Sequence, residues 1–305
     1  MINARTLLRR FLAPPLRLEM VRTAQRAPRL LGESAALVRK YILRKQNADG
    51  GFPDRAGHSD LYYTVFGLQS LLALEEPFSG KPMDAYLASF GDGSGLDFVH
   101  LCCLARCRAL LGGKEKTSVL AGRIETHRTS DGGYHPTPGQ PHGTAYAAFL
   151  ALGAYQDLDC KLPNQAGLAN ALRLLATADG AWANERPAKI ASTNATAAAI
   201  AALGNIQPQA IPRKVGRWLL AQAHPLGGFR ASPLASLPDL LSTATALHTI
   251  RALGLPVDAA IRESCLDFID TLWSNEGGFH GQWHDDILDV EYTFYGLLAL
   301  GCLVK

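Results

Sequence analysis

The chain has 305 residues, 48% of them hydrophobic and 19% charged, with 30 Lys and Arg against 27 Asp and Glu for a net charge of +3. That is enough apolar residue for a sizeable buried core, and the near-balanced charge gives no case for nucleic-acid binding outside one local segment. No apolar run is flanked as a membrane span or a secretory signal, so a cytoplasmic protein, at most peripheral to a membrane, is expected.

Residues 1–33 are that segment. Arg5, Arg9, Arg10, Arg17, Arg22, Arg26 and Arg29 stand there against Glu19 and Glu33, in a basic, leucine-punctuated arm. Such an arm either lies on anionic lipid headgroups or folds as a helix packed against the rest of the chain. Residues 34–305 form the domain proper, with no linker inside them.

Within that domain one unit recurs at roughly 40 to 50 residues, the period of stacked helical repeats. It begins with an amphipathic helix at 36–45, the turn Asp49-Gly50-Gly51-Phe52, and then Asp60-Leu-Tyr-Tyr-Thr64 opening an apolar run. The second copy is degenerate, Asp92-Gly93-Ser94-Gly95 followed by Asp97-Phe-Val-His-Leu101. The third has a helix at 118–128 and the turn Asp131-Gly132-Gly133-Tyr134, then departs with Gln140-Pro-His-Gly-Thr144. The fourth runs from a helix at 168–176 through Asp179-Gly180-Ala181-Trp182 to Ser192-Thr-Asn-Ala-Thr196. The fifth pairs a helix at 215–223 with Gly227-Gly228-Phe229 and Asp239-Leu-Leu-Ser-Thr243. The sixth pairs 261–273 with Glu276-Gly277-Gly278-Phe279 and Asp289-Val-Glu-Tyr-Thr293.

The helix before each turn mixes charge with apolar residues at helical spacing, whereas the one after it is almost free of charge. An acceptor side chain opening an apolar run is how a helix start is written, because its oxygen takes an otherwise unpaired backbone N–H. The pattern predicts an all-α fold, an (α/α)6 toroid of six helical hairpins, with charged helices outside and every inner-helix start at one end of a central lumen. Ring closure removes the exposed ends that an open solenoid must cap. Cys102, Cys103, Cys107, Cys160, Cys265 and Cys302 show no Cys-x-x-Cys pair and are expected as free, buried thiols of a reducing compartment.

The Gln46-Asn-Ala-Asp-Gly-Gly-Phe52 turn and the run Asp289 to Leu300 resemble the repeat of the prenyltransferase and squalene-cyclase superfamily, which includes protein prenyltransferase β subunits and type II terpene cyclases. The resemblance covers residues 34–305 and implies an isoprenoid or other lipophilic small molecule as ligand. In the prenyltransferases, zinc held by an Asp, a Cys and a His makes a substrate thiolate. Asp239 falls on that Asp, but Leu241 occupies the Cys position and Tyr292 the His position, so zinc is not expected. His142 falls on the family's diphosphate-contacting His, while its Arg and Lys partners are missing save a displaced Arg230; alternatively it is a turn histidine. A transferase of the β-subunit kind also needs a separate α subunit.

In the cyclases, the central Asp of an Asp-x-Asp-Asp-Thr motif protonates an alkene or epoxide. Asp289-Val290-Glu291-Tyr292-Thr293 is similar, with Asp289 on the first Asp, Glu291 on the proton donor and Tyr292 in place of the last Asp. The acid readings are therefore Glu291 and Asp289. A first-turn carboxylate is held ionised by the helix dipole, so only desolvation or repulsion from Asp289 and Asp239 would keep Glu291 protonated. Tyr62, Tyr63, Phe66, Tyr146, Tyr292 and Tyr295 are candidates to line the lumen and stabilise a cation; equally, such aromatics fill cores. Asp60, Asp97, Asp239 and Asp289 recur at one repeat position, which capping explains. Asp285 and Asp286, with Asp289, form an Asp-Asp-x-x-Asp pattern suited to magnesium, or else a polar rim. The alanines of the inner helices, such as Ala147, Ala197, Ala198 and Ala246, either widen the lumen or let helices pack closely. Three functions fit these residues: a cyclase using Glu291, a transferase binding an isoprenoid diphosphate near His142, Asp285 and Asp286, and a toroid that binds a lipid or protein without catalysis.

Overall fold

Six acceptor side chains start six apolar helices. In the computed structural model, which describes residues 15–77, 80–113, 117–187 and 189–305, these inner helices are Leu61–Ala73, Phe98–Leu110, Ala145–Asp157, Thr193–Ile206, Leu240–Ala252 and Val290–Leu303. Asp60, Asp97, Thr144, Ser192, Asp239 and Asp289 each accept a backbone N–H of the first turn, the capping role their recurrence implies. Each inner helix packs on the next and the sixth on the first, so the ring is closed and the predicted toroid is observed. The outer helices are Ala35–Lys45, Gly80–Ser89, Thr117–Glu125, Gln165–Leu174, Val215–Leu220 and Ala259–Thr271.

Four of these outer helices stop two or three residues before the sequence pattern does. The reason lies in the turns: Arg128, Ala176, Ala223 and Trp273 leave the helix to bridge Tyr134, Trp182, Phe229 and Phe279 across the glycines. The turn aromatics are thereby driven between the two helical layers, where Phe52, Tyr134, Trp182, Phe229 and Phe279 are buried. The N–H groups of Phe52, Trp182, Phe229 and Phe279 need an acceptor in that dry place, and the Thr four residues after the cap supplies it, whereas the third repeat has Ala148 at that position. Phe229 donates to Thr243 Oγ1 at 2.9 Å, and Thr243 donates onward to the Asp239 carbonyl at 2.7 Å; Phe52–Thr64 and Trp182–Thr196 repeat the first contact. The Asp-x-x-x-Thr spacing is thus a fold device, and Thr293 needs no catalytic role.

The turn glycines serve the seams between repeats. Gly277 has φ +97°, and a Cβ there would lie 2.2 Å from the carbonyl oxygen of Leu37 in the first outer helix. This contact closes the ring between sixth and first repeats. Gly277→Ala combines a left-handed backbone with a backbone clash, so it is expected to cost about 2 kcal/mol or more. Urea denaturation would measure it, and an unchanged midpoint would count against the seam.

The basic arm divides. Arg5, Arg9 and Arg10 lie outside the described residues. From residue 16 the chain enters the toroid: helix Leu16–Ala24 packs on the first, third and sixth inner helices, burying Leu16, Val21 and Ala24. Gly301 brings the two backbones together, since a Cβ there would meet the Thr23 carbonyl oxygen at 2.0 Å. Arg17 reaches Asp157, the last residue of the third inner helix, at 3.1 Å, and Arg26 donates to the Val304 carbonyl at 2.7 Å. Both contacts sit at inner-helix C-termini, so this helix plugs the lumen at the end opposite the caps. No described helix is long and apolar enough to cross a membrane, and all six cysteines are free, but only Cys102, Cys103, Cys107 and Cys265 are buried, Cys160 and Cys302 lying half-exposed at helix ends or loops.

Candidate active site

Capping places every inner-helix start at one rim of the lumen, and two ionic clusters form there. Arg55, from the loop after the first turn, donates to Asp285 Oδ2 at 2.8 Å and to Asp289 Oδ2 at 3.1 Å. Its guanidinium also stands over the Tyr292 ring, 5.6 Å from the centroid, a favourable place for a cation. Two of the three carboxylates of the Asp-Asp-x-x-Asp pattern therefore hold an arginine, while Asp286 is exposed. In the second cluster His100 bridges Asp60 and Asp97, each at 2.9 Å. These hydrogen bonds, Asp60 first, raise the His100 pKa to about 9, so a charged imidazolium staples the first two inner-helix starts. The Asp97–His100 pair read from the sequence gains a third member from a neighbouring repeat.

Glu291 sits inside this rim, in the first turn of the sixth inner helix. Tyr62 Oη donates to Glu291 Oε1 at 2.6 Å. Burial pushes the carboxyl up to about 7, with Asp289 adding repulsion and the Tyr62 hydrogen bond and Arg55 opposing. Desolvation thus outweighs what a first-turn position favours. Burial also raises Asp289, against the Tyr292 N–H and Arg55, and Asp239, against Ser242.

Below the rim lies a cavity of about 330 Å³, within the range of small-molecule sites. Tyr62, Tyr146, Phe149 and Tyr295 wall one side, Leu16 and Met20 of the plug close it below, and Leu241 is part of the wall without filling the space. Tyr62 and Phe66 meet edge-on at 5.0 Å, and Phe66 and Tyr295 meet tilted at 5.4 Å. Tyr146 keeps 38% of its surface accessible, and it lines both lobes of the cavity. The alanines serve both proposed purposes: Ala195, Ala197 and Ala198 line the cavity, while Ala147, Ala199, Ala244 and Ala246 are buried among helices.

Of the residues singled out in the sequence, Glu291, Tyr62, Tyr146, Tyr295 and Phe66 converge on one place. Glu291 is not itself in the cavity wall but is joined to it through Tyr62. Asp289, Asp285, Tyr292 and Tyr63 belong to the rim around Arg55, with Tyr63 edge-on to Tyr62 at 5.6 Å. His142 is exposed, 3.4 Å from Asp131 beside the third turn, and Asp239 caps the fifth inner helix through Ser242. Sequence reasoning passed over Arg55, Gln69, Arg106 and His248. Arg55 gave no signal, standing in a loop without periodicity, but Arg106 and His248 were legible as polar residues interrupting inner helices otherwise almost free of charge.

The sequence matches the prenyltransferase alpha-alpha toroid domain over residues 29–100, 97–203 and 194–304. No curated protein matches it. Among solved structures, the type II terpene cyclase MstE from Scytonema, in complex with geranylgeranyl dihydroxybenzoate, is similar at 15% identity and TM-score 0.61, over 91% of this chain and 97% of that one. Candida albicans protein geranylgeranyltransferase-I, complexed with GGPP, gives 13% identity and TM-score 0.67 over 88% and 90%. A protein from Actinoplanes gives 17% and 0.65 over 90% and 99%. At these identities the likeness concerns the fold, on which both cyclase and transferase chemistry occur. The three matched stretches and the closed ring of six hairpins agree, and the chain belongs to the prenyltransferase alpha-alpha toroid family.

Proposed function

We propose that this toroid is a type II cyclase-like enzyme acting on an isoprenoid, with Glu291 as the proton donor. The observation that carries the reading is a half-buried carboxyl, pushed up to about 7 by desolvation and hydrogen-bonded to Tyr62 in the wall of an aromatic cavity. A general acid works best with a pKa near the operating pH. The Glu291 proton, relayed through the Tyr62 hydroxyl that stands in the cavity wall, adds to one carbon of an alkene, the other carbon becomes cationic, and a second alkene attacks it to close a ring. The faces of Tyr62, Tyr146 and Tyr295 stabilise the travelling charge. The last cation then loses a neighbouring proton to a base, so the product is an isomer of the substrate. His248, in the cavity wall and kept neutral by burial, is the acceptor available there.

Acidic balance at the rim favours this reading over the transferase one. Asp60, Asp97, Asp285, Asp286 and Asp289 outnumber Arg55 and His100, and His142 stands apart on Asp131. A bare diphosphate would meet net repulsion there. The test is incubation with farnesol, farnesoic acid and geranylgeranyl diphosphate in H₂O and D₂O, followed by mass spectrometry. Isomers of unchanged mass in H₂O, carrying one deuterium in D₂O, are expected. Release of diphosphate would point to the transferase reading, and retention without conversion to a binding toroid.

A further inference from the structure

A smaller lobe opens off the main cavity, sharing Met20, Tyr62, Tyr146, Phe149 and Tyr295 with it. Its space for water-sized groups is about 60 Å³, room for a few such groups. Unlike the main lobe it carries a guanidinium. Arg106, in the middle of the second inner helix, is 9% exposed and lies in the wall. Its Nε donates to Asp157 Oδ2 at 2.8 Å. Gly153 leaves room for the rest of the fork, since a Cβ there would come within 2.5 Å of Arg106 Nη2.

Two features show that the lobe lacks a partner. Asp157 faces both Arg106 and Arg17, so two cations share one anion, and only Nε of Arg106 is bound to it while its fork lies in the wall of the lobe. Gln69, 1% exposed and in the same wall, has its amide nitrogen buried with no hydrogen-bond partner. Donors buried without acceptors are costly, and a planar guanidinium matches a carboxylate in both geometry and charge.

We infer that the lobe around Arg106 and Gln69 binds the carboxylate of the substrate, which makes that substrate an isoprenoid acid rather than an alcohol, hydrocarbon or diphosphate. A monoanion balances the single excess charge, whereas a diphosphate would overfill both charge and space. The inference rests on the isoprenoid reading above and adds an orientation to it. Counted from their caps, Arg106 lies seven residues deeper than Glu291 along helices that start at one rim, about 10 Å at 1.5 Å per residue. The acid group is therefore held deep and the chain runs back toward the rim, presenting an alkene remote from the carboxylate to Glu291. Tyr146 and Tyr295, which feel the charges of both residues, stand between the two ends.

The test is binding at pH 8 of farnesoic acid, its methyl ester and farnesol, followed by tyrosine fluorescence quenching. For the wild type, the acid is expected to bind about ten- to a hundredfold more tightly than the ester or alcohol, as a charged hydrogen-bonded group is worth. Arg106→Gln lowers the acid's affinity to that of the ester and the alcohol. Gln69→Leu takes away only an unpaired donor, so it folds, and it reduces the preference by a few-fold. Equal binding of acid, ester and alcohol to the wild type, or a preference that survives Arg106→Gln, overturns the inference while isoprenoid binding stands. If none of the three binds, both the inference and the isoprenoid reading fall.

Discussion

Replacing Glu291 by glutamine is expected to lower turnover by about 10²- to 10⁴-fold, the usual worth of a general acid, with substrate affinity little changed. The wild-type rate should fall about tenfold per unit above a pKa of about 7, and fall again at low pH once His248, the closing base, takes a proton. Stability gives an independent readout. The folded-state pKa of about 7 lies above the ordinary 4.5, so the native state binds this proton more tightly than the unfolded chain. Stability from this group is fully present below pH 4.5 and is lost as pH rises through 7, by at most about 3 kcal/mol. Glu291→Gln lifts that cost, so the variant should melt higher than the wild type at pH 8 and not at pH 4. A variant that keeps its rate, or a rate that rises with pH across 6 to 8, would remove Glu291 from the chemistry.

The second large effect is expected at Asp157. It ends the third inner helix, where the macrodipole disfavours an anion and local rules would place a lysine. It is nearly inaccessible, its side chain 1% exposed, and it accepts from Arg106 at 2.8 Å and faces Arg17 at 3.1 Å. Asp157→Asn leaves two guanidiniums without their counter-charge, one of them buried, and should cost about 3 to 5 kcal/mol, or about 10 °C in melting temperature for a chain of this size. The loss should appear first in the plug, as faster amide exchange across residues 16–24 while the inner helices keep their protection. Melting within a degree or two of the wild type would show that the plug is held by apolar packing alone.

Much of this molecule could be read from residue order. The caps, the turn glycines and the alternation of charged with apolar helices are short-range signals, and they predict the six hairpins closely. Outer-helix ends were overrun because the bridges from Arg128, Ala176, Ala223 and Trp273 to the turn aromatics leave no mark in helical periodicity. At the site, Glu291 stood out as an acid no other repeat has at that position, and the aromatics at inner-helix starts pointed to a lined cavity. Whether Glu291 would hold its proton did not follow from its place in a first helical turn.

The repeat, the ring and the positions of the six helix starts are written in residue order, because capping, turn geometry and amphipathicity act within a few residues of chain. Tertiary structure alone decided the rest. Arg55 meets Asp285 and Asp289 across some 230 residues, Tyr62 meets Glu291 only because the sixth inner helix packs on the first, and the basic arm turns inward because Asp157 awaits Arg17. Burial raises the pKa of Glu291 and seals the Arg106–Asp157 pair from water, and burial belongs to the closed ring with its plug, not to any stretch of sequence.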